Sequence, residues 1–290
     1  MAKVLLFGAT GHLGKEIAKE LVAQGYELTI VVRNKSKAAE MAGITASHKV
    51  ADITNSKQMA GICKDFEIVI SALGKSISLL DKSKPSFTDI DFTANSNIIR
   101  EARKYGVRKF VYVSALHAEK YKKHTYFKAH NDVSEQLKKA GINYSIIKPA
   151  ALFSSFMYHI DMAAKGKLIN VGKGDKKTNP IYEGDLAKVC VNAIKEHNAI
   201  IEVGGKNTYT RKQINEIIQN EVAPQLKMKQ MYMGNVKLVL PLIKAFNRNT
   251  YDKYAFHLEV MQHHAIAPRI GEMKLEEYVK REAGKTLSLT

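Results

Sequence analysis

The feature that most constrains the fold is a glycine loop close to the start of the chain. A short apolar run at residues 4–7 leads into Gly8-Ala9-Thr10-Gly11-His12-Leu13-Gly14, and an amphipathic helical pattern follows over residues 12–24. Glycines at this spacing permit a tight turn, a close approach of a ligand to the backbone and close packing of helix on strand. The helix N-terminus also presents unpaired N–H groups to an anion. We therefore predict that this loop holds a pyrophosphate, through Gly8, Thr10, Gly11, His12, Leu13 and Gly14.

Residues 1–150 alternate between short apolar runs and helical patterns. The apolar runs fall at residues 4–7, 28–32, 48–53, 68–72, 110–114 and 142–147, and helical patterns cover 12–24, 92–105 and 125–140. This order is typical of a parallel sheet covered by helices on both faces. The predicted fold class is therefore α/β, a doubly wound parallel sheet of the Rossmann type with a smaller, mostly helical C-terminal lobe.

The pattern becomes less regular after Pro149. Helical patterns at residues 185–194 and 212–221 flank a strand-like run at 200–203, and the chain beyond Pro224 is mostly helical and basic, with breaks expected at Pro241 and Pro268. We predict a dinucleotide-binding domain over residues 1–150 and a substrate lobe over residues 151–290. The lobe is expected to be interleaved with a final strand of the sheet near residues 200–203.

The residues that follow the second apolar run indicate which dinucleotide binds. An acidic residue there accepts a hydrogen bond from the ribose 2′-hydroxyl of NAD, whereas this chain continues with Arg33-Asn34-Lys35-Ser36-Lys37 and has no acid before Glu40. A guanidinium binds a 2′-phosphate through two hydrogen bonds, and a carboxylate repels it. We therefore predict NADP(H), with Arg33 as the chief contact and Lys35 or Lys37 assisting.

Taken together, the motifs resemble those of the short-chain dehydrogenase/reductase superfamily, and more narrowly its atypical, extended or NmrA-like members. The matching residues extend over about 220 positions. Beyond the glycine loop, they are Val32-Arg33, Asp52-Ile53, Val69-Ile70-Ser71-Ala72-Leu73-Gly74, Asn95, Phe110-Val111-Tyr112-Val113-Ser114, Tyr126, Ile146-Ile147-Lys148-Pro149 and Asp185-Leu186-Ala187.

The resemblance implies roles at these matched positions. For the cofactor, it implies that the adenine is bordered by Asp52 and Ile53, that the ribose and phosphates are lined by Ser71, Ala72, Leu73 and Gly74, and that the nicotinamide lies beside Lys148 and Pro149. For catalysis, it implies that Ser114 hydrogen-bonds a substrate carbonyl and that Tyr126 donates a proton.

The chain departs from the superfamily pattern at one position. Active members carry Tyr-x-x-x-Lys, and the fourth residue after Tyr126 is His130. Positions four apart are neighbours on a helix, so His130 occupies the place of the lysine that helps to bind ribose and lowers the tyrosine pKa. Histidine is mostly neutral at pH 7. His130 is therefore expected to tune Tyr126 or relay its proton, and a packing role for either residue stays open.

Composition narrows the class of protein. Lys and Arg number 45 against 28 Asp and Glu, a formal charge of +17 that favours anionic ligands, but no helix-turn-helix, zinc or RNA-binding signature accompanies it. We expect no nucleic-acid partner, no metal site, no signal peptide and no membrane association. Two cysteines fit a reducing compartment, so the expected location is cytoplasmic.

Three functions remain open at this point. The first is an NADP(H)-dependent oxidoreductase acting on a small organic carbonyl or enone, with Ser114, Tyr126 and His130 as catalytic residues. The second is a non-catalytic, NmrA-like regulator that senses the dinucleotide and binds a protein partner. The third is a nucleotide-sugar epimerase, although extended members of that kind normally keep the lysine. Whether the chain is an enzyme stays undecided, as does the possibility of a homo-oligomer.

Overall fold

A computed structural model describes residues 1–287. Its strands are β1 Lys3–Phe7, β2 Glu27–Val32, β3 His48–Val50, β4 Ile68–Ser71, β5 Lys109–Val113, β6 Asn143–Pro149, β7 Ile169–Val171, β8 Lys177–Thr178, β9 Ala199–Val203, β10 Tyr209–Thr210 and β11 Lys229–Met231. Its α-helices are α1 His12–Ala23, α2 Lys35–Ala39, α3 Asn95–Lys104, α4 Thr125–Lys138, α5 Met157–Ala164, α6 Glu183–Asn192, α7 Arg211–Val222, α8 Met233–Phe246, α9 Arg248–Gln262 and α10 Leu275–Leu287. A π-helical segment, Thr88–Ala94, precedes α3, and short 3₁₀ turns cover Phe153–Phe156 and Ala193–Lys195.

The chain forms two compact units. The first consists of Met1–Lys75, Pro85–Lys148 and Glu183–Glu202. The second consists of Ser76–Lys84, Pro149–Tyr182 and the described residues from Val203 onward. The predicted assignment of residues 1–150 to the dinucleotide and of residues 151–290 to the substrate concerns ligand binding, and it stays a prediction.

A seven-stranded sheet in the order β3-β2-β1-β4-β5-β6-β9 forms the centre of the first unit. The registered pairs from β3 to β6 are all parallel. Phe7 lies between Val31 and Ser71, and Ser71 in turn pairs with Tyr112, so the carboxyl ends of four neighbouring strands are level. The predicted doubly wound α/β fold is confirmed.

Alternate strand residues face two helical layers. Leu5, Phe7, Val69 and Phe110 are fully buried in one core together with side chains of α3 and α4. Val4 and Leu6 are equally buried and point to the opposite face, because successive strand side chains alternate. Helices α1 and α6 pack on one another in the first unit. This double cover is the reason the strands are nearly continuous apolar runs.

The second unit has its own core. Buried residues of α5, α7 and α10 form it, including Ile160, Ile218 and Val279. Helix α7 begins with a capping box, in which the Thr210 hydroxyl accepts from the Gln213 N–H while the Gln213 side chain accepts from the Thr210 N–H. Across residues 1–287, no helix is both long enough and apolar enough to cross a lipid bilayer.

One prediction about the second unit is wrong. Pro241 was expected to break the helical pattern, but it lies inside α8. Proline removes one backbone N–H and leaves the carbonyl four residues earlier without its helical donor. Pro241 is solvent-exposed, as are most of its neighbours in α8, so water can hydrate that carbonyl and the helix continues.

Both cysteines are expected to resist modification in the folded protein. Cys63 and Cys190 are fully buried, and burial raises the pKa of each thiol to about 12. Because the thiolate is the reactive form, a thiol reagent should label neither residue at pH 8 and both residues in denaturant. Titration with 5,5′-dithiobis(2-nitrobenzoic acid) measures this directly. Rapid labelling of either thiol without denaturant would contradict the buried positions.

Candidate functional site

The glycine loop lies between β1 and α1 at the carboxyl edge of the sheet. Gly8 has a positive φ of 80°, and a Cβ there would lie 2.6 Å from the Ala72 carbonyl oxygen. A Cβ on Gly14 would lie 2.0 Å from the Gly8 oxygen, so this glycine lets α1 pack against the turn. A Cβ on Gly11 would meet only the Gly8 oxygen, at 3.4 Å, and would otherwise project into open space. Two glycines are therefore required by the fold, whereas Gly11 leaves room for a ligand.

The start of α1 is suited to an anion. Gly11 is its N-cap, no side chain caps the helix, and its first turn contains no acidic residue. Gly11 and His12 are exposed, Thr10 is half-buried, and Leu13 is buried beneath them. The residues present therefore fit a pyrophosphate, which backbone N–H groups of a helix N-terminus bind well. Individual contacts at Thr10, His12 and Leu13 stay predictions.

Arg33 and Lys37 differ in how available their charges are. Arg33 follows β2, is exposed, and has no hydrogen-bond or ion-pair partner among residues 1–287. Lys37 forms an ion pair with Glu40, with 2.5 Å between Nζ and Oε1, and this hydrogen bond lowers the pKa of the Glu40 carboxyl. The short helix α2 is capped by Asn34, which accepts from the Lys37 N–H. Lys35 is likewise exposed and without a hydrogen-bond or ion-pair partner within residues 1–287. Arg33 and Lys35 are therefore the unpaired cations after β2 in the described part of the chain, while Lys37 is paired with Glu40.

Asp52 and Ile53 follow β3. The Asp52 carboxylate accepts from the Thr54 N–H at 3.0 Å and from the Thr54 hydroxyl at 2.7 Å, which forms a turn on the surface. Asp52 is exposed, and Ile53 is half-buried against the core of the first unit. Their predicted position beside an adenine remains a prediction.

Ser71 and Lys75 hydrogen-bond to residues of the π-helical segment and of α3. The Ser71 hydroxyl is fully buried and lies 2.6 Å from Asn95 Oδ1, and the Asn95 amide donates to the Asp91 carbonyl at 2.9 Å. The Lys75 N–H lies 3.3 Å from each Asp91 carboxylate oxygen. The segment with Ala72, Leu73 and Gly74 is thus bonded at its start to Asn95 of α3 and at its end to Asp91 of the π-helical segment. Ser71 serves this support, and any contact of the segment with a cofactor stays a prediction.

A buried chain of polar side chains joins β5, α4 and the π-helical segment. His130 is 4% exposed, its Nδ1 lies 2.8 Å from the Tyr112 hydroxyl, and its Nε2 lies 3.3 Å from Asp91 Oδ1. With Asp91 ionised, Nε2 carries the proton and Nδ1 accepts from Tyr112. Both ring nitrogens are then used, so His130 faces the interior rather than taking the outward position expected of the lysine that it replaces.

Burial has the largest effect on the pKa values of Asp91 and Tyr112 in this row of hydrogen-bonded side chains. It raises the pKa of the Asp91 carboxyl, and hydrogen bonding and charge from His130 offset only part of that effect. It also raises the pKa of the Tyr112 hydroxyl well above 10, with the negative charge of Asp91 adding to the effect. Tyr112 therefore stays protonated at neutral pH.

Tyr126 begins the helix that carries His130. Its ring is half-buried, 5.4 Å from the Phe87 ring and 4.6 Å from the His130 ring, both edge to face. Burial, and then the charge of Asp91, raise the pKa of its hydroxyl. The predicted neighbours Tyr126 and His130 are thus in contact through their rings. Tyr126 is a neutral phenol that can donate a proton and is a poor base.

Ser114 packs against the same helix. It is buried, and its hydroxyl lies 3.2 Å from the Ser134 hydroxyl, which donates in turn to the His130 carbonyl at 2.8 Å. Because the single Ser134 proton is used in that bond, Ser114 is the donor to Ser134. The side chain that the resemblance places beside a substrate carbonyl thus faces α4, one turn beyond His130.

Lys148 and Pro149 end β6. The Lys148 ammonium lies 2.9 Å from Glu119 Oε2. Burial is the largest single effect on Glu119 and opposes its ionisation, but the hydrogen bond and charge of Lys148, together with a backbone hydrogen bond and the charge of His117, lower the pKa of that carboxyl on balance. Pro149 is buried. The cation predicted beside a nicotinamide is therefore neutralised by a partner in the loop after β5.

Two members of the buried chain, Asp91 and Tyr112, were missed by the sequence analysis. The tyrosine hydroxyl in an otherwise apolar buried strand was the available signal, because such a group requires a partner. No comparable signal marked Asp91, since Thr88–Ala94 reads as the start of an ordinary amphipathic helix. No group of three potential metal ligands occurs among residues 1–287.

The chain is similar to a family of NAD(P)H-binding proteins and to several curated proteins. A family model described as NAD(P)H-binding matches residues 8–197. The divinyl chlorophyllide a 8-vinyl-reductase of Arabidopsis thaliana is 29% identical over 223 residues, which are 69% of this chain and 52% of that protein. The photosystem II assembly factor Ycf39 of Synechocystis is 25% identical over 273 residues, 88% of this chain and 78% of that one. The chain thus spans about half the length of the vinyl reductases that it matches.

Among solved structures, the triphenylmethane reductase of Citrobacter, in complex with NADP(H), superimposes with a TM-score of 0.73. The superposition covers 97% of this chain and 99% of the reductase, at 17% sequence identity. At that identity the likeness concerns the fold.

Proposed function

Because the chain belongs to the family of NAD(P)H-binding proteins, we propose that it is an NADP(H)-dependent oxidoreductase that reduces a small organic carbonyl or enone. Membership confirms the predicted superfamily and a nicotinamide dinucleotide as ligand; the preference for NADP(H), the reaction and the residue roles are proposals. The observation that carries the proposed reaction and residue roles is the neutral Tyr126 phenol beside the Asp91–His130–Tyr112 chain, at the same sheet edge as the open glycine loop.

The glycine loop and Arg33 support the choice of NADP(H). Gly11 leaves the N-terminus of α1 open to the pyrophosphate, and Arg33 offers an unpaired guanidinium at the end of β2 to the 2′-phosphate. Lys37 is bound to Glu40 and contributes less. A nicotinamide dinucleotide supplies a hydride when bound.

The state of Tyr126 supports reduction rather than oxidation. A phenol with a raised pKa stays protonated, so it can deliver a proton to an oxygen or carbon that gains negative charge. An alcohol oxidation would need the tyrosinate, which the lysine of the superfamily normally stabilises and which this chain lacks. His130 and Asp91 then act as positioning residues that fix the ring of Tyr126, and Ser114 fixes the turn of α4 through Ser134. The names of the vinyl reductase and triphenylmethane reductase relatives are in keeping with a reduction.

The cofactor assignment predicts a selective loss at Arg33. Arg33→Ala should weaken NADPH binding by about 10- to 100-fold, the effect of losing one charged hydrogen-bonded contact, and should leave NADH binding unchanged. Nicotinamide fluorescence titration measures both affinities. Lys37→Ala is the matched control and should change NADPH binding by less than about threefold, because its charge is paired. Equal affinity of the wild type for NADPH and NADH would contradict the assignment.

The reaction is tested by NADPH oxidation with a panel of quinones, enones and aldehydes. Tyr126→Phe keeps the ring packing and removes only the hydroxyl, so kcat should fall by about 10²-fold or more while NADPH affinity is retained. Tyr121→Phe, in the adjacent loop, is the control and should keep its activity. Full activity of Tyr126→Phe would exclude the proton-donor role.

A dinucleotide-binding regulator is the second candidate. The observation in its favour is that both nitrogens of His130 are used in the interior, where an active member of the superfamily has a lysine. The relative described as an assembly factor also matches more of the chain than the vinyl reductase does. Tight NADPH binding without turnover on any substrate of the panel would select this candidate. The epimerase alternative would require a bound nucleotide diphosphate and, in members of that kind, the missing lysine.

A further inference from the structure

Helix α8 of the second unit exposes a stripe of large apolar side chains. Leu238, Leu242 and Phe246 are 80%, 64% and 89% exposed, and their spacing of four places them on one side of the helix. Tyr232, at the N-cap of the same helix, is 76% exposed. Single exposed apolar residues are common, whereas an aligned set of this size marks an interaction surface.

The opposite side of α8 is already used by the protein. Met233, Val236, Leu240 and Ile243 are half-buried, and α8 packs against α9. The helix therefore has two apolar sides, of which one packs within the unit. The exposed stripe is therefore not needed to attach α8 to its own fold.

The charged residues in the sequence segment that contains the stripe are all basic. Residues 222–251 contain no Asp or Glu, and they contain the basic residues Lys227, Lys229, Lys237, Lys244 and Arg248. Arg248 pairs with the buried Asp252, while Lys227, Lys229 and Lys244 have no carboxylate partner among residues 1–287. Thirty consecutive residues thus combine exposed apolar side chains with unneutralised positive charge.

We propose that α8 binds the surface of an anionic lipid membrane, with the stripe in the headgroup region and the positive charge of the surrounding segment attracting the protein to the anionic surface. Amphipathic helices that lie in the membrane interface combine these two features, and lysines near the surface add attraction to anionic lipids. Tyr232 belongs to a residue type enriched at that depth. With 14 residues, α8 is about 21 Å long and lies along the surface rather than spanning the bilayer.

A second copy of the chain fits this surface less well. A two-fold contact through the stripe would bring the same basic segment of both copies together, and like charges across an interface oppose association. The proposal departs from the sequence-based expectation of no membrane association. That expectation rested on the absence of a long apolar run, which says nothing about a helix lying on a membrane.

The absence of tryptophan from the chain allows a direct test. Phe246→Trp creates a single reporter, whose emission should shift to the blue with vesicles of phosphatidylglycerol and phosphatidylcholine, but not with phosphatidylcholine alone. The shift should weaken as salt is raised. Val22→Trp, at a 45% exposed apolar position on α1, is the control and should show no shift. An unchanged emission of Phe246→Trp with anionic vesicles would overturn the proposal.

A flotation assay with the same vesicles tests the stripe without a reporter. The triple variant Leu238→Ser, Leu242→Ser, Phe246→Ser should bind anionic vesicles at least about tenfold more weakly than the wild type. The triple Val22→Ser, Leu80→Ser, Ile200→Ser, which changes exposed apolar residues elsewhere, should bind like the wild type. Two results would instead assign the stripe to a protein partner, and the proposal would then fail. The first is self-association of the wild type through the stripe without lipid. The second is binding of polyglutamate through the stripe with no binding of vesicles.

Discussion

Gly11→Ala is expected to weaken dinucleotide binding by about 100-fold while leaving the fold intact. The added methyl group would point into open space, 3.4 Å from its nearest neighbour, so the unliganded protein can accept it. The same space is where we place the pyrophosphate. Loss of one or two charged hydrogen bonds there corresponds to roughly 3 kcal/mol, or about 100-fold in affinity. Isothermal titration calorimetry with NADPH measures the affinity, and urea denaturation measures the stability.

Gly14→Ala is the matched control for this prediction. Its methyl group would lie 2.0 Å from the Gly8 oxygen, so α1 or the turn must move. Overpacking of this kind costs about 1–3 kcal/mol, and the variant should therefore lose stability as well as affinity. If Gly11→Ala bound NADPH like the wild type, the pyrophosphate would not lie at this loop and the proposed function would fail with it.

The second large effect is expected at Asp91. Asp91→Ala removes the acceptor of His130 Nε2 and of the Lys75 N–H, and leaves both donors buried. Removing the acceptor of a buried donor costs about 1–3 kcal/mol, so the loss of two such hydrogen bonds should cost about 2–6 kcal/mol. Asp89→Ala, two residues earlier in the same π-helical segment, removes exposed hydrogen bonds to Ser86 and should cost about 1 kcal/mol or less. Urea denaturation of the three proteins compares them, and equal stability would mean that the buried chain contributes nothing.

The pKa of Asp91 gives this prediction a pH dependence. The pKa is raised in the folded state, so the protonated carboxyl is favoured by folding. That contribution is complete below the ordinary value of 3.8 and is lost as the pH rises through the raised value. Asp91→Asn cannot titrate. The stability of the wild type relative to Asp91→Asn should therefore be highest near pH 4 and fall as the pH rises, and a relative stability that rises with pH would contradict the burial of this charge.

The sequence was sufficient for the sheet and its first loop. Strands of a doubly wound sheet are near-continuous apolar runs, and the loop 8–14 carries three glycines at a spacing typical of a dinucleotide-binding turn. The helix containing Pro241 was not predictable, because whether proline ends a helix depends on the solvation of one carbonyl, which the sequence does not state. The exposed side of this helix, α8, was not predictable either, because its apolar pattern predicts burial on both sides and only the packing of α9 shows which side is buried.

For the candidate site, spacing placed Tyr126 beside His130 correctly but did not indicate where the histidine points. That direction is set by Asp91, which is 39 positions away and lies in a segment with no distinguishing pattern. Lys37 and Lys148 show the same limit. Lys37 was predicted from the basic run after the second apolar run, and the role of Lys148 was implied by the resemblance. Each is paired with a carboxylate, Glu40 or Glu119, that the sequence pattern did not assign to it.

If residues 71–74 contact the cofactor as predicted, the hydrogen bonds between the end of β4 and residues 91–95 bear on both the rate and the affinity of binding. Ser71, Asn95 and Asp91 hold residues 72–75 in one arrangement before any ligand arrives. A loop that is ordered in advance loses little conformational entropy on association, so more of the contact energy appears as affinity. Loosening it, as in Asn95→Ala, should slow association through rearrangement of the backbone even where every group that touches the ligand is retained.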